Sequence, residues 1–190
     1  MQGAELKAWR RSERQRLLAL RTAVPSAERR LWGVEIEVRL RALLLERPVV
    51  TLGVYWPFQA EFDPRALIDW VIEQGFAVAL PAVVDKKGPL EYRAWRPDEA
   101  LVDGVWNIPI PQARELVTPQ AVLAPLVGFD QQCYRLGYGG GYFDRTLAAL
   151  SPRPLAIGVG FEISHIETIF PQPFDIPMDV IVTEALIRRR

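Results

Sequence analysis

The sequence predicts an α/β fold: a single-domain layered fold over residues 1–190, with a largely parallel sheet flanked by helices. Short apolar runs alternate along the chain with longer segments in which apolar residues recur every three or four positions. Strands that alternate with helices are typical of a parallel sheet covered by helices. A chain of 190 residues is long enough to bury a sizeable core within one domain.

Two helices are predicted at the start of the chain, over residues 4–21 and 26–45. Apolar residues at helical spacing form the expected inner face of the first helix, namely Leu6, Trp9, Leu17 and Leu20. The corresponding stripe of the second helix is Leu31, Val34, Val38, Ala42 and Leu45. Ser26 is the expected cap of the second helix, and Pro48 is expected to end it.

The following elements are predicted in the same way. Residues 49–55 are rich in β-branched side chains and predict a buried strand. Asp63 and Pro64 predict a helix start, and Gly75 predicts its end. Strands are expected over residues 76–80, 90–95, 122–129, 155–159 and 180–182, and a short helix over residues 143–150. Residues 97–119 are rich in proline and are expected to be irregular.

Two finer expectations concern proline and the end of the chain. Pro125 falls inside the predicted strand 122–129, which favours a place near a sheet edge or a bulge. The basic residues Arg188 to Arg190 are expected to form a solvated tail.

Composition excludes several classes of protein. Lys and Arg together number 23, as do Asp and Glu, so the net charge gives no sign of a nucleic-acid-binding surface. The single cysteine, Cys133, excludes an internal disulfide and fits a reducing cytoplasm. No apolar run approaches the roughly 20 residues of a membrane span. We therefore expect a cytoplasmic protein, monomeric or weakly dimeric, that binds neither nucleic acid nor membranes.

The segment from Arg135 to Arg145 carries most of the chemical information. Four of the five residues 137–141 are glycine, and Tyr142, Phe143 and Asp144 follow at once. Glycine lets a backbone turn tightly, and successive N–H groups in such a turn attract anions, above all phosphate. A carboxylate three residues after the last glycine suits a metal ion bound to that phosphate. The segment predicts a phosphate-and-magnesium site and points to nucleotide chemistry.

Two well-known glycine motifs do not fit this segment. A P-loop requires lysine and then Ser or Thr after its last glycine, where this chain has Tyr142 and Phe143. The dinucleotide-binding fingerprint requires glycine at position 142. An ordinary flexible turn needs one or two glycines, so four of them beside Arg135, Asp144 and Arg145 favour a functional loop.

The same segment resembles the signature of the 5-formyltetrahydrofolate cyclo-ligase family, also called 5,10-methenyltetrahydrofolate synthetases. The similarity comprises Leu126-Val127-Gly128-Phe129-Asp130 and then the block from Arg135 to Arg145. Weaker motifs follow the family's order from about Lys7 to about Glu184. The resemblance implies an ATP- and magnesium-dependent enzyme that cyclises 5-formyltetrahydrofolate to 5,10-methenyltetrahydrofolate and releases ADP and phosphate, through a phosphorylated formyl intermediate.

The resemblance also implies roles for individual residues. ATP contacts are expected from Lys7, Arg11, Arg135, Gly137, Tyr138, Gly139, Gly140, Gly141, Tyr142 and Phe143. Folate contacts are expected from Tyr55, Trp56, Glu61, Trp106 and Phe143. Arg135 and Asp144 are the expected catalytic residues, and Asp144 and Asp179 the expected magnesium ligands. In the C-terminal block Asp175 precedes Asp179, and the family's pattern implies the later aspartate as the ligand.

Two residues depart from the family's pattern. Cys133 stands where the family usually has glycine, and Phe143 where a tyrosine is common. Phenylalanine removes one hydroxyl donor and keeps the aromatic face, which should weaken one hydrogen bond by about 0.5–1.5 kcal/mol. These departures leave open a folate-binding protein without catalysis. A different nucleotide or sugar-phosphate enzyme on a similar scaffold is the third hypothesis, because fold does not fix function.

Overall fold

The computed structural model describes residues 1–47 and 49–190, and in them a seven-stranded sheet forms the centre of the fold. Its strands are β1 (Thr51–Gly53), β2 (Ala77–Ala82), β3 (Glu91–Trp95), β6 (Ala121–Pro125), β9 (Leu155–Val159), β10 (Val180–Val182) and β11 (Ile187–Arg189). They lie in the order β11-β10-β9-β6-β1-β2-β3. The inner strands are parallel, and only the two edge strands, β3 and β11, run antiparallel to their neighbours. The predicted fold class is confirmed.

The sheet is buried between helices because its central strands are apolar on both faces. Every residue of β10, and all but the last of β6, is buried. Helices α2 (Ser26–Leu45) and α3 (Arg65–Glu73) contribute buried leucine, isoleucine and valine side chains to the core cluster that contains β1. Such strands read as continuous apolar runs, which is what a parallel sheet covered on both sides requires.

Helix α1 (Gly3–Ala23) agrees only in part with its predicted inner face. Leu6 and Leu17 are buried, whereas Leu20 is exposed and Arg21, a charged residue, is buried. The side chain of Arg21 enters the interior because it donates hydrogen bonds to main-chain carbonyls there. Hydrophobic spacing could not show that an arginine occupies this position.

The apolar stripe predicted for α2 lies on the wrong side of the helix. Leu31, Val34, Val38 and Leu45 are each more than half exposed. The buried face instead carries Ile36, Leu40, Leu43 and Leu44. Both stripes have helical spacing, so periodicity alone did not identify the side that faces the sheet. Ser26 begins the helix without a side-chain capping bond, and the predicted helix end at Pro48 lies outside the described residues.

The predicted strand 122–129 is two elements. The central strand β6 lies between β1 and β9, not at a sheet edge, and it ends at Pro125. The chain then forms a small ribbon from β7 (Gly128–Phe129) and β8 (Arg135–Leu136). Pro125 is tolerated because β1 pairs only with Ala121 and Val122, so at Pro125 the strand is paired on one side alone, with Val159 of β9.

Two further expectations about irregular regions are corrected. Residues 97–119 contain a ribbon of β4 (Leu101–Asp103) and β5 (Pro109–Pro111). Arg188 and Arg189 belong to β11, which pairs with β10, and are not part of a solvated tail. Within residues 1–47 and 49–190, no helix has both the length and the apolar character needed to cross a membrane.

Substitution of Gly53 tests the packing of the central sheet. A Cβ atom at Gly53 would lie 2.7 Å from Cε1 of Tyr92 and 3.2 Å from Cγ of Pro119. We expect Gly53→Ala to lower the free energy of unfolding by about 1–3 kcal/mol, because overpacking forces the neighbours to move. Urea unfolding measures the change.

Gly33 in α2 provides the matched control. A Cβ atom there would come no closer than 3.7 Å to Phe62, which is ordinary contact. Gly33→Ala should raise the free energy of unfolding by about 0.5–1 kcal/mol, since alanine is the better helix residue. Equal effects of the two substitutions would contradict the packing described for β1.

Candidate active site

The topology of the sheet predicts where a ligand binds. From β1 the chain moves outward through β2 to β3, and from β6 it moves in the opposite direction through β9 to β10. The segments that leave the carboxyl ends of β1 and β6 therefore diverge and open a crevice, the usual ligand site in such sheets. Residues 54–61 follow β1 and the glycine block follows β6, so the two sets of candidate residues meet at this crevice.

The glycine loop, residues 137–141, connects β8 to helix α4 (Tyr142–Ala149). Gly139 has φ +100° and Gly141 has φ +66°, left-handed conformations that glycine adopts without strain. Within the described part of the chain, none of the N–H groups of residues 138–141 donates a hydrogen bond to a main-chain carbonyl. These groups, next to a helix N-terminus, are suited to binding an anion.

Two arginines hold the glycine loop through its carbonyl groups. The Nε atom of Arg14, in α1, donates to the carbonyl oxygen of Gly137 at 2.7 Å. The Nη1 atom of Arg145, in α4, donates to the carbonyl oxygen of Gly140 at 2.8 Å. The guanidinium of Arg145 also lies 4.9 Å from the ring centre of Tyr142. The loop is thus fixed from both sides by positive charge.

Arg135 and Asp144 form a partly buried ion pair beneath the loop. The Nη2 atom of Arg135 lies 3.0 Å from Oδ2 of Asp144, and the arginine side chain is only 5% exposed. Burial lowers the pKa of Arg135, and the neighbouring carboxylates Asp144 and Asp175 counteract this effect. Arginine remains charged in proteins, so the pair places a fixed cation below the loop.

The acidic residue that lies next to Asp144 is Asp175. Asp179 does not lie near Asp144. Oδ1 of Asp144 accepts a hydrogen bond from the amide of Ile176 at 3.1 Å, which puts Asp175 directly beside it along the chain. Asp175 forms a salt bridge with Arg10 of α1.

Asp179 instead lies at the amino-terminal edge of the sheet. Its carboxylate accepts a hydrogen bond from the amide of Ala156, at the start of β9, and forms a salt bridge with Arg153. Asp179 precedes β10, and the amino ends of parallel strands lie opposite the crevice. Among residues 1–47 and 49–190 the carboxylates of Asp144 and Asp179 share no partner, so the structure does not bring the expected magnesium pair together, and a role for Asp179 as a ligand stays a prediction.

Glu61 lies on the other side of the crevice, in a tight turn after β1. Its Oε2 atom accepts a hydrogen bond from the amide of Phe58 at 2.8 Å, and its Oε1 atom accepts one from the hydroxyl of Tyr138 at 2.8 Å. Burial raises the pKa of Glu61 to about 7, although both hydrogen bonds and the charge of Arg21 favour the ionised form. A carboxyl group with a raised pKa in a crevice is a candidate binding or catalytic group.

The two aromatic residues that precede Glu61 have different places. Tyr55 is 3% exposed, and its hydroxyl donates to the carbonyl oxygen of Phe62 at 2.8 Å. It therefore supports the turn from the core, and its expected contact with folate stays a prediction. Trp56 is partly buried, with its ring edge-on to Trp95 at 6.2 Å.

Trp106 reaches the glycine loop from the proline-rich region. Its ring centre lies 5.8 Å from that of Tyr142, and the residue is 61% exposed. Its φ of +59° is rare for a bulky residue, and strained backbone is often kept for function. Phe143 is partly buried, and the guanidinium of Arg135 lies 5.0 Å from the centre of its ring.

Lys7 and Arg11 are exposed on α1, and their expected contact with ATP stays a prediction.

Sequence reasoning missed the inward roles of Arg10, Arg14 and Arg21. Arg14 and Arg21 are spaced seven residues apart, as are Lys7 and Arg14, so the three lie along one face of the helix. This heptad spacing of basic residues is the sequence signal that indicates a shared helix face.

The backbone conformation at Cys133 accounts for the glycine that the family usually has at this position. The residue has φ +63°, a conformation that glycine adopts more readily. Its side chain packs in a core cluster that includes Phe129 and Met178. Burial raises the pKa of the thiol, which keeps it protonated and unreactive.

Comparison with known proteins gives a consistent result. The sequence model of the 5-formyltetrahydrofolate cyclo-ligase family matches residues 6–184. The chain is 29% identical over 150 residues to the 5-formyltetrahydrofolate cyclo-ligase of Escherichia coli K12, a match that covers 74% of this chain and 82% of the relative. It is 26% identical over 175 residues to that of Mycoplasma pneumoniae, which covers 90% and 96% of the two chains.

Solved structures show the same similarity. The 5,10-methenyltetrahydrofolate synthetase of Aquifex aeolicus superposes with a TM-score of 0.83 at 28% identity, covering 95% of this chain and 92% of that one. The Mycoplasma pneumoniae synthetase superposes with a TM-score of 0.77 at 22% identity, covering 92% and 98%. The second match shows the fold alone.

The raised pKa of Glu61 predicts a pH-dependent stability. In the folded state this group retains a proton that the unfolded chain releases between about pH 4.5 and 7. The free energy of unfolding of the wild type should therefore fall as the pH rises through this window. Glu61→Gln should remove this fall, so that the variant gains about 3 kcal/mol relative to wild type between pH 4.5 and pH 8.

Urea unfolding at several pH values measures both profiles. Glu73→Gln, at an exposed position at the end of α3, is the control and should follow the wild type. Parallel profiles for wild type and Glu61→Gln would mean that Glu61 ionises normally.

Proposed function

Since this chain belongs to the 5-formyltetrahydrofolate cyclo-ligase family, we propose that it uses ATP to cyclise 5-formyltetrahydrofolate to 5,10-methenyltetrahydrofolate, releasing ADP and phosphate. Membership makes the chain an enzyme of this class. The observation that carries the finer proposal is the position of the glycine loop opposite Glu61 at the crevice between β1 and β6. A phosphate-binding element and a group suited to a pterin ring thus face one another.

The reaction requires activation of a poor leaving group. The formyl oxygen of the folate attacks the γ-phosphorus of ATP, and the bond from that phosphorus to ADP breaks. N10 of the folate then attacks the formyl carbon, loses its proton, and the carbon–oxygen bond breaks to release phosphate. An amide oxygen is already nucleophilic enough to need no strong general base, so the enzyme's task is alignment and charge neutralisation.

The residues around the glycine loop match this task. The N–H groups of residues 138–141 supply fixed dipoles for phosphate oxygens. Arg135 supplies a fixed positive charge beneath the loop, and Lys7 and Arg11 can add charge from the exposed side of α1. Dipoles and charges that are already in place need no reorganisation when charge develops in the transition state.

Asp144 and Asp175 fit a magnesium ion bound with the nucleotide. Magnesium prefers oxygen ligands, typically one or two carboxylates together with phosphate oxygens. Asp144 accepts a hydrogen bond from the amide of Ile176, and Asp175 is the residue before Ile176, so the two acidic residues are neighbours. The charges of both act on the buried Arg135. A bound ion would neutralise phosphate charge during transfer.

Glu61 and two tryptophans fit the pterin ring. A carboxylate can accept two hydrogen bonds from an amino group and a ring N–H on one edge. Trp56 and Trp106 lie on either side of the crevice and offer flat apolar surfaces for a fused ring. We also propose that the protein acts in the cytoplasm as a monomer or weak dimer, in keeping with its single buried cysteine.

Substitution of three aspartates tests the proposed site. Asp144→Asn and Asp175→Asn should each lower the turnover of 5-formyltetrahydrofolate at least about a hundredfold, because each removes a charged oxygen ligand. The near-ultraviolet absorbance of the methenyl product, with and without ATP and Mg²⁺, measures turnover. Asp179→Asn should keep turnover close to that of the wild type.

Unfolding curves of all three variants separate loss of activity from loss of fold. Asp144→Asn leaves the buried Arg135 unpaired, so this variant is assayed at a temperature where it remains folded. Loss of turnover in Asp179→Asn with normal turnover in Asp175→Asn would reverse the assignment. A folded wild type that binds the folate and never consumes ATP would support the non-catalytic alternative.

A further inference from the structure

Three side chains from separate parts of the sequence form a continuous hydrogen-bonded chain across the crevice. The hydroxyl of Tyr138, in the glycine loop, donates to Oε1 of Glu61 at 2.8 Å. The same hydroxyl accepts a hydrogen bond from Nη2 of Arg21, in α1, at 2.7 Å. Tyr138 therefore uses its hydroxyl as donor and acceptor at once. The Arg21–Tyr138–Glu61 link is the direct polar connection between the two sides of the crevice.

Arg21 anchors this link in the interior. The residue is 2% exposed and donates to the carbonyl oxygen of Leu126 at 3.0 Å and to that of Gln59 at 3.1 Å. One guanidinium group thus contacts the end of β6, the turn that carries Glu61, and the glycine loop. A buried charge with this many partners cannot move without exposing unsatisfied groups.

The backbone of the turn that carries Glu61 is also constrained. Gln59 and Ala60 both have positive φ, at +46° and +61°. The amide of Phe58 donates to Glu61, and the ring of Phe58 lies 6.0 Å from that of Tyr138. Two successive non-glycine residues in left-handed conformations persist only where their surroundings hold them. The position of Glu61 therefore depends on Arg21 and Tyr138.

The glycine loop is held at its backbone by Arg14 and Arg145, and its one large side chain is that of Tyr138. Tyr138 stands between Gly137 and Gly139, and glycine has the greatest backbone freedom of any residue. Its hydroxyl contacts consequently contribute much of what fixes this part of the loop relative to the turn.

We propose that the Arg21–Tyr138–Glu61 link couples the two ligand sites, so that nucleotide at the glycine loop and folate at Glu61 each increase the affinity for the other. The inference rests on the proposed function, and Tyr138 is a positioning residue in it. Ordering the loop around phosphate fixes Tyr138 and so holds Glu61 for the pterin. By thermodynamic linkage the effect is equal in both directions.

The charge state of Glu61 supports the same link. The groups that face this carboxyl are Arg21 from α1, Tyr138 from the glycine loop and Tyr55 from the core beneath the turn. The hydrogen bond from Tyr138 lowers the pKa of Glu61, against the opposite effect of burial. Loss of the Tyr138 hydroxyl should therefore raise the pKa of Glu61 further and weaken folate binding most near neutral pH.

The Tyr138→Phe variant tests the coupling, with Tyr134→Phe as the matched control. Tyr134 packs beside Leu17 and Val127, outside the link. The dissociation constant of 5-formyltetrahydrofolate is measured by calorimetry with and without a non-hydrolysable ATP analogue and Mg²⁺. We expect the analogue to tighten folate binding about fivefold or more in wild type and Tyr134→Phe, and to have almost no effect in Tyr138→Phe.

An equal effect of the analogue in wild type and Tyr138→Phe would overturn the inference while leaving the proposed function intact. A wild type that binds neither folate nor the analogue would instead defeat the proposed function. A double-mutant cycle with Glu61→Gln adds a second criterion. The effects of Tyr138→Phe and Glu61→Gln on folate affinity should be strongly non-additive, because they remove the same contact.

Hydrogen exchange tests the link without any ligand. The readout is the exchange of the Phe58 and Glu61 amides, which are hydrogen-bonded within the turn. Tyr138→Phe, a substitution on the other side of the crevice, should speed exchange of both amides, and Tyr134→Phe should leave it unchanged. Unchanged exchange of these amides in Tyr138→Phe would overturn the inference whatever the ligand experiments give.

Discussion

The fixation of the glycine loop by arginine side chains is the constraint on which the candidate site depends. A loop of four glycines and one tyrosine cannot pack itself, and its backbone would sample many conformations. Arg14 and Arg145 bind its carbonyl oxygens from opposite sides, and Arg135 lies beneath it. Within residues 1–47 and 49–190, the N–H groups of residues 138–141 donate to no main-chain carbonyl, so they are available to an anion.

This arrangement gives the N-terminal helix a role beyond packing. Helix α1 contributes Arg10, Arg14 and Arg21, which contact residues more than a hundred positions away in sequence. Arg10 pairs with Asp175, Arg14 holds the loop, and Arg21 connects the loop to the turn of Glu61. The helix is thus the element that joins the two halves of the crevice, and its basic face explains why a neutral protein concentrates arginine there.

The sequence predicted the fold class and the glycine loop because both have local signals: alternating patterns and a dense glycine block. It did not predict that Asp175, and not Asp179, accompanies Asp144. Which of the two aspartates lies beside Asp144 depends on the path of the segment before β10. Asp175 and Asp179 are only four residues apart, so the sequence alone does not show which one it is. Similarly, the two apolar stripes of α2 have the same period, and only the sheet decides which is buried. The heptad spacing of Lys7, Arg14 and Arg21 indicates a shared helix face, but the partners of Arg21, two main-chain carbonyls and the hydroxyl of Tyr138, are distant in sequence and could not be predicted from it.

We propose that the crevice aligns the formyl oxygen of the folate with the γ-phosphate of ATP. The most direct test uses 5-formyltetrahydrofolate that carries ¹⁸O in its formyl group. After turnover with ATP and Mg²⁺, mass spectrometry determines the isotope content of the released phosphate. One ¹⁸O atom in each phosphate is the predicted result, because the bond between carbon and this oxygen breaks after phosphoryl transfer. Unlabelled phosphate, with the isotope released into water, would contradict the account.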